Sequence, residues 1–101
     1  MRKIEDKEKE LIISIINDKK EVPNLVKDLN DGEMGSISFD LKNESKRFES
    51  IFKAEYLDSD NVLVDIELSV DKRGRLYELD FFKINFGKLI TYPTFDELKI
   101  K

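Results

Sequence analysis

Four carboxylates stand out by type and spacing. Asp65 and Glu67 alternate with Val64, Ile66 and Leu68, while Glu78 and Asp80 alternate with Tyr77, Leu79 and Phe81. Successive side chains of a strand point to opposite faces, so both acid-x-acid pairs project outward from neighbouring strands. Glu55, in the stretch before them, joins the same face. Such a set supports two chemistries. It can act as an oxygen cage for Mg²⁺ or Mn²⁺, or as a field that draws in a basic protein. A nuclease-like metal site would want an acid and then acid-x-Lys on the next strand. Here Glu78-Leu79-Asp80 is followed by lysine only at Lys83, so the lysine is out of place.

Absent residue types narrow the chemistry further. The chain has no cysteine and no histidine. Disulfides, thiolate nucleophiles, cysteine or histidine metal sites and histidine-based triads are therefore excluded. The net charge of −4 disfavours nucleic acid as a partner. No apolar run approaches the eighteen or so residues of a membrane span, and Met1 to Glu5 turns polar too soon for a signal peptide. The expectation is a cytoplasmic protein without cofactor or bound metal, 1–101 forming a single domain.

The acids need a scaffold, and Val62 to Phe86 supplies its centre. Two alternating runs flank Asp71-Lys72-Arg73-Gly74-Arg75, a hairpin turn in which Gly74 can take positive φ. If the apolar sets share one face, the loop is even, either Arg73-Gly74 or Asp71 to Gly74. Two registers remain open. One sets Glu67 opposite Asp80 and Ser69 opposite Glu78; the other sets Glu67 opposite Glu78 and Asp65 opposite Asp80. Acid faces acid in both. Beyond Phe81 the apolar positions change parity to Phe82, Ile84 and Phe86, which favours a β-bulge near Phe81-Phe82 that returns them to the core; without it Phe82 is exposed as part of a contact surface.

Upstream, residues 4–20 predict a helix with Ile4, Leu11, Ile12, Ile15 and Ile16 on one stripe, closed by Lys19-Lys20 and Pro23. Leu25 to Leu29 reads as a short edge strand, with one helical turn as the alternative. Asp31, Gly32 and Gly35 mark a tight structural loop before a strand at Ile37 to Leu41 with Ser38 facing out; a phosphate cradle would open a helix instead. The strand Phe48 to Tyr56 then turns through Ser59-Asp60-Asn61, with Asn61 left-handed. This loop places Tyr56 against Val64, Ala54 against Ile66, Phe52 against Leu68, Glu55 beside Asp65 and Lys53 beside Glu67. Thr94 with Glu97 matches a capping box. The fold expected is α+β, one N-terminal helix packed on a four- to five-stranded, mostly antiparallel meander sheet.

Three segments together resemble a family of small uncharacterised bacterial proteins, a domain of unknown function. They are the Glu8-Lys9-Glu10-Leu11-Ile12 helix, the DGxMGS-like Asp31 to Ser36, and the ELDxxKxxF-like Glu78 to Phe86. Glu33 and Asn61 depart from the glycines expected at those places. The resemblance implies no activity. The residues themselves favour a non-enzymatic interaction module, an immunity-type or regulatory binder of a basic partner protein, acting through Glu55, Asp65, Glu67, Glu78 and Asp80. The alternatives are a divalent-metal-dependent enzyme using those carboxylates and a self-associating structural protein pairing through its edge strands. A monomer or weak homodimer is expected.

Overall fold

The computed structural model describes residues 1–29 and 33–101. Asn30 and the anticipated loop residues Asp31 and Gly32 lie outside the described residues. Among those described, one helix, α1 (Asp6–Ile16), lies with a seven-stranded antiparallel sheet. The strands are β1 (Arg2–Lys3), β2 (Leu25–Asp28), β3 (Ile37–Ser38), β4 (Glu49–Leu57), β5 (Leu63–Val70), β6 (Leu76–Lys83) and β7 (Lys99–Ile100). Their order is β1-β2-β3-β6-β5-β4-β7. The α+β class holds, but the expected four or five strands are seven. β1 and β7 have two residues each, too few for any alternation to register in sequence. Only β4-β5-β6 is a meander, since β3 crosses to pair with β6.

The helix is shorter than its apolar stripe. It starts from a capping box, with Glu5 at the N-cap and the Glu8 carboxylate accepting the Glu5 N–H at 2.8 Å. It stops at Asn17, where both Asn17 and Asp18 take positive φ. Asparagine and aspartate tolerate this region, so they end the helix before Pro23 can. Lys19 and Lys20 consequently lie outside it, and the macrodipole contribution expected of them is absent. Leu11, Ile12 and Ile16 are buried on the inner sheet face, against a core that includes Val26, Ile37, Val64, Ile66, Leu68, Leu79 and Phe81.

The β4–β5 register is the expected one in every pair named above. Asp58 N–H donates to Val62 O, Asn61 N–H donates to Asp58 O, and Asn61 has φ 63°. A shift between Ser50 and Phe52 leaves Phe48 exposed rather than in line with Phe52. In the β5–β6 hairpin Glu67 faces Asp80 and Ser69 faces Glu78. The loop is not even: Asp71 to Arg75 close on each other through Asp71 N–H to Arg75 O. A bulge then pairs Val70 with Leu76 and skips Tyr77, which restores the shared face. The other strand forecast to run from Ile37 to Leu41 ends at Ser38, and Ser38 is buried, not outward.

The largest departure is at the end of β6. No shift occurs at Phe81-Phe82; alternation continues unbroken, and Lys83 takes the core-facing position after Leu79 and Phe81. Phe82, Ile84 and Phe86 are exposed instead. Lysine can sit here because its ammonium is matched. At 1% exposure it donates to Asp58 Oδ2 at 2.9 Å and to Lys88 O at 2.9 Å, and Asp60 Oδ2 lies 2.8 Å away. Asp58 is as deeply enclosed, and accepts N–H bonds from Ser59, Ile90 and Thr91 at 2.7, 2.8 and 2.9 Å. Burial pushes its carboxyl upward, but these amides and Lys83 outweigh that and hold it at about 2. The Tyr56 hydroxyl donates to Thr91 O, so residues 88–92 strap across this rim of the sheet.

The described part of the glycine segment docks on the same strap. Ser36 Oγ accepts the Phe81 N–H at 2.9 Å, and Leu89 N–H donates to Glu33 O. Gly35 has φ +89°, and a Cβ there would meet Leu89 Cδ2 at 3.1 Å.

Two substitutions test this arrangement. Asp58→Ala leaves Lys83 buried without its main partner and is expected to cost roughly 3–5 kcal/mol in urea unfolding. A loss below about 1 kcal/mol would mean the pair is hydrated in solution. Gly35→Ala is expected to cost about 1–3 kcal/mol through its backbone conformation, and an unchanged midpoint would contradict the constraint on Gly35.

Candidate acidic face

Outward residues of β4, β5 and β6 line up in rows. One row holds Glu55, Asp65 and Phe82; the next holds Lys53, Glu67 and Asp80. Glu78 follows beside Ser69. All five carboxylates expected on this face are therefore placed there by strand alternation. Lys83 is not among them, because its odd-numbered position turns it to the inner face. A nuclease-like acid-x-Lys constellation is thus not assembled.

The face is acidic but not uniformly so. Arg47, from the loop before β4, reaches Glu67 and Ser50, and Ser50 Oγ also donates to Glu67. Lys101 Nζ lies 2.5 Å from Asp65 Oδ1. Glu67, Asp65, Asp80 and Phe82 floor a shallow depression of about 250 Å³, with Lys53 and Lys101 on its rim. These two ion pairs are half-exposed, so each contributes little to stability while fixing where positive charge sits. Sequence reasoning anticipated Lys53 alone. Arg47 comes from a loop and Lys101 from just past a two-residue strand, whose positions no alternation reports.

Glu78 and Asp80 differ from Asp65 and Glu67 in that, among the described residues, no cation is bonded to them. They are two residues apart on one strand, half-buried, and close enough to share a proton. Burial first, and then the Asp80 charge, push the Glu78 carboxyl up to about 7. Burial also raises Asp80, although the hydrogen bond from Glu78 works against it. At neutral pH the pair carries less than two full negative charges, and one carboxyl can give or take a proton. As for metals, among the described residues no three acidic side chains converge closely enough to hold an ion. Asp65 and Glu67 are turned toward their own cations, and Glu78 and Asp80 toward each other.

An apolar patch borders the acids. Phe82 and Phe86 meet edge to face with ring centroids 5.3 Å apart, although they are 44% and 74% exposed. Leu57 and Ile84 are exposed at the same end of the sheet. Aromatic rings in water beside carboxylates make a surface with both apolar and ionic character. No helix among the described residues is long and apolar enough to cross a membrane.

Residues 1–93 match the family described as a domain of unknown function (DUF6984), and the chain belongs to that family. No curated protein and no solved structure matches it. The matched span contains all five carboxylates and ends just before the capping box at Thr94.

The shifted carboxyls set a pH dependence. Glu78 binds its proton more tightly in the folded chain than at its ordinary value of 4.5. Its contribution to stability is thus complete below 4.5 and is lost as the pH rises through about 7. Asp58 has the opposite sign: its contribution is present above 3.8 and is lost as the pH falls through about 2. Thermal melts should therefore be highest near about pH 4–5 and decline toward neutrality. Glu78→Gln should flatten that decline. An equally steep decline in the variant would assign it to other groups.

Proposed function

We propose that this protein is a non-enzymatic interaction module that binds a basic protein through the outer face of its sheet, in a regulatory or immunity-type role. The observation that carries this reading is the direct opposition of Glu67 and Asp80, with Glu78 held beside them. Like charges opposed across strands are destabilising by up to roughly 1 kcal/mol per pair. Arg47 and Lys53 offset Glu67 from one side, yet among the described residues neither Glu78 nor Asp80 has a bonded cation. A basic partner would relieve the repulsion when it docks, and the field of a −4 chain would speed its approach. Phe82 and Phe86 supply what a purely ionic surface lacks, an apolar anchor that excludes water around the ion pairs.

The test compares the native protein with a Glu55→Lys, Glu78→Lys variant whose melting temperature is not lowered, both immobilised in lysate of the source cell. The expected result is a basic protein retained by the native chain, lost from the variant, and released by salt near 1 M, where screening falls to roughly 3 Å. Equal retention by both proteins would remove the acidic face from consideration. Phe86→Ala should weaken the same retention about tenfold, while leaving its salt dependence in place.

A further inference from the structure

We propose that the outer edge of β4 is a docking edge for an extended basic strand of Lys-x-Lys pattern, and that β7 fills this edge in cis as an internal pseudo-ligand; this rests on reading the acidic face as a partner surface. β4 runs for nine residues, Glu49–Leu57, yet β7 pairs with it only at Ala54↔Ile100 and Glu55↔Lys99. One further bond, from Lys101 N–H to Lys53 O at 2.9 Å, closes the ladder. At Leu57, past Glu55, the edge has N–H and C=O groups to add a longer strand.

The chemistry of β7 indicates what the edge accepts. Lys99 stands opposite Glu55, and Lys101 reaches across to Asp65, so alternate lysines fall on the acidic face. Ile100 falls between them on the other face, opposite the buried Ala54. Basic, apolar, basic is the complement of this part of the sheet.

β7 is also lightly held. Ile100 remains 59% exposed and Lys101 is about half in water. A segment that buries so little apolar area opens at low cost. Leu57, exposed on β4 past Glu55, offers additional apolar contact to a longer occupant. The segment that covers this edge, from Thr94 onward, lies outside the span matched to the family.

The experiment titrates a fluorescein-labelled peptide of alternating lysine and valine into the full-length native protein and into Lys99→Glu, Lys101→Pro. Proline at 101 removes both the N–H given to Lys53 and the ammonium on Asp65. Fluorescence anisotropy should show binding at least about ten times tighter to the variant, since the competing strand no longer holds the edge. Adding Glu55→Lys, Asp65→Lys should abolish that gain. Equal affinity for native and variant, or no binding to either, overturns the inference. If Glu55→Lys, Glu78→Lys still releases a captured partner in that case, the acidic-face reading stands and only the pseudo-ligand fails. If it releases nothing, both fall.

Discussion

A lysine occupies a position where the strand pattern calls for hydrocarbon, and the structure is built around satisfying it. Removing a charge from water costs several kcal/mol unless close partners replace the lost hydration. Lys83 has Asp58, Asp60 and the Lys88 carbonyl; Asp58 in turn has three backbone amides. That demand explains the tight β4–β5 turn, which presents Asp58 and Asp60 together, and the course of residues 88–92. Those residues must pass over the rim of the sheet to deliver a carbonyl and two N–H groups. Tyr92 then stacks against Phe81 with ring centroids 5.2 Å apart, and Phe95 approaches Phe52. The far end of the core is thus closed by a segment whose route is set by electrostatics.

The same strand turns two different environments to its two sides. Inward, β6 presents Leu79, Phe81 and a fully matched lysine. Outward, it presents Glu78 and Asp80, with no cation bonded to either among the described residues. A buried charge has to be matched, whereas an exposed one can be left to water. The strand thus separates the ion pair that holds the fold from carboxylates that face solvent. Arg2 provides a second structural link of the first kind, bridging Glu8 of α1 and Asp28 of β2 at 2.7 and 2.9 Å.

Much of the sheet was legible because alternation and turn chemistry agreed. Asp58 to Asn61 contains residues suited to a three-residue loop, and the flanking apolar positions permit one register. The five outward acids followed from the same parity. The end of β6 was misread for a physical reason: Phe82, Ile84 and Phe86 look like core residues, and a bulge seemed the cheapest way to bury them. The alternative required a buried lysine, which is acceptable only if a counter-ion is supplied from 25 residues away. No local pattern encodes that. β1 and β7 were hidden for a simpler reason, since two residues are too few for periodicity. Arg47 and Lys101, which temper the acidic face, depend on where a loop and the last strand settle.

The strap over Asp58 also orders events in time. The two amides that help to enclose this carboxylate arrive from 32 and 33 residues further along the chain. Contacts between distant residues form late, because the intervening chain must first be closed into a loop. The β4–β5 hairpin can therefore assemble from local signals while Asp58 and Lys83 are still in water. A chain growing from the ribosome would hold a wet, charged notch in its half-built core until residue 91 had emerged. The final dehydration of that notch would then be the step that commits the sheet to its shape.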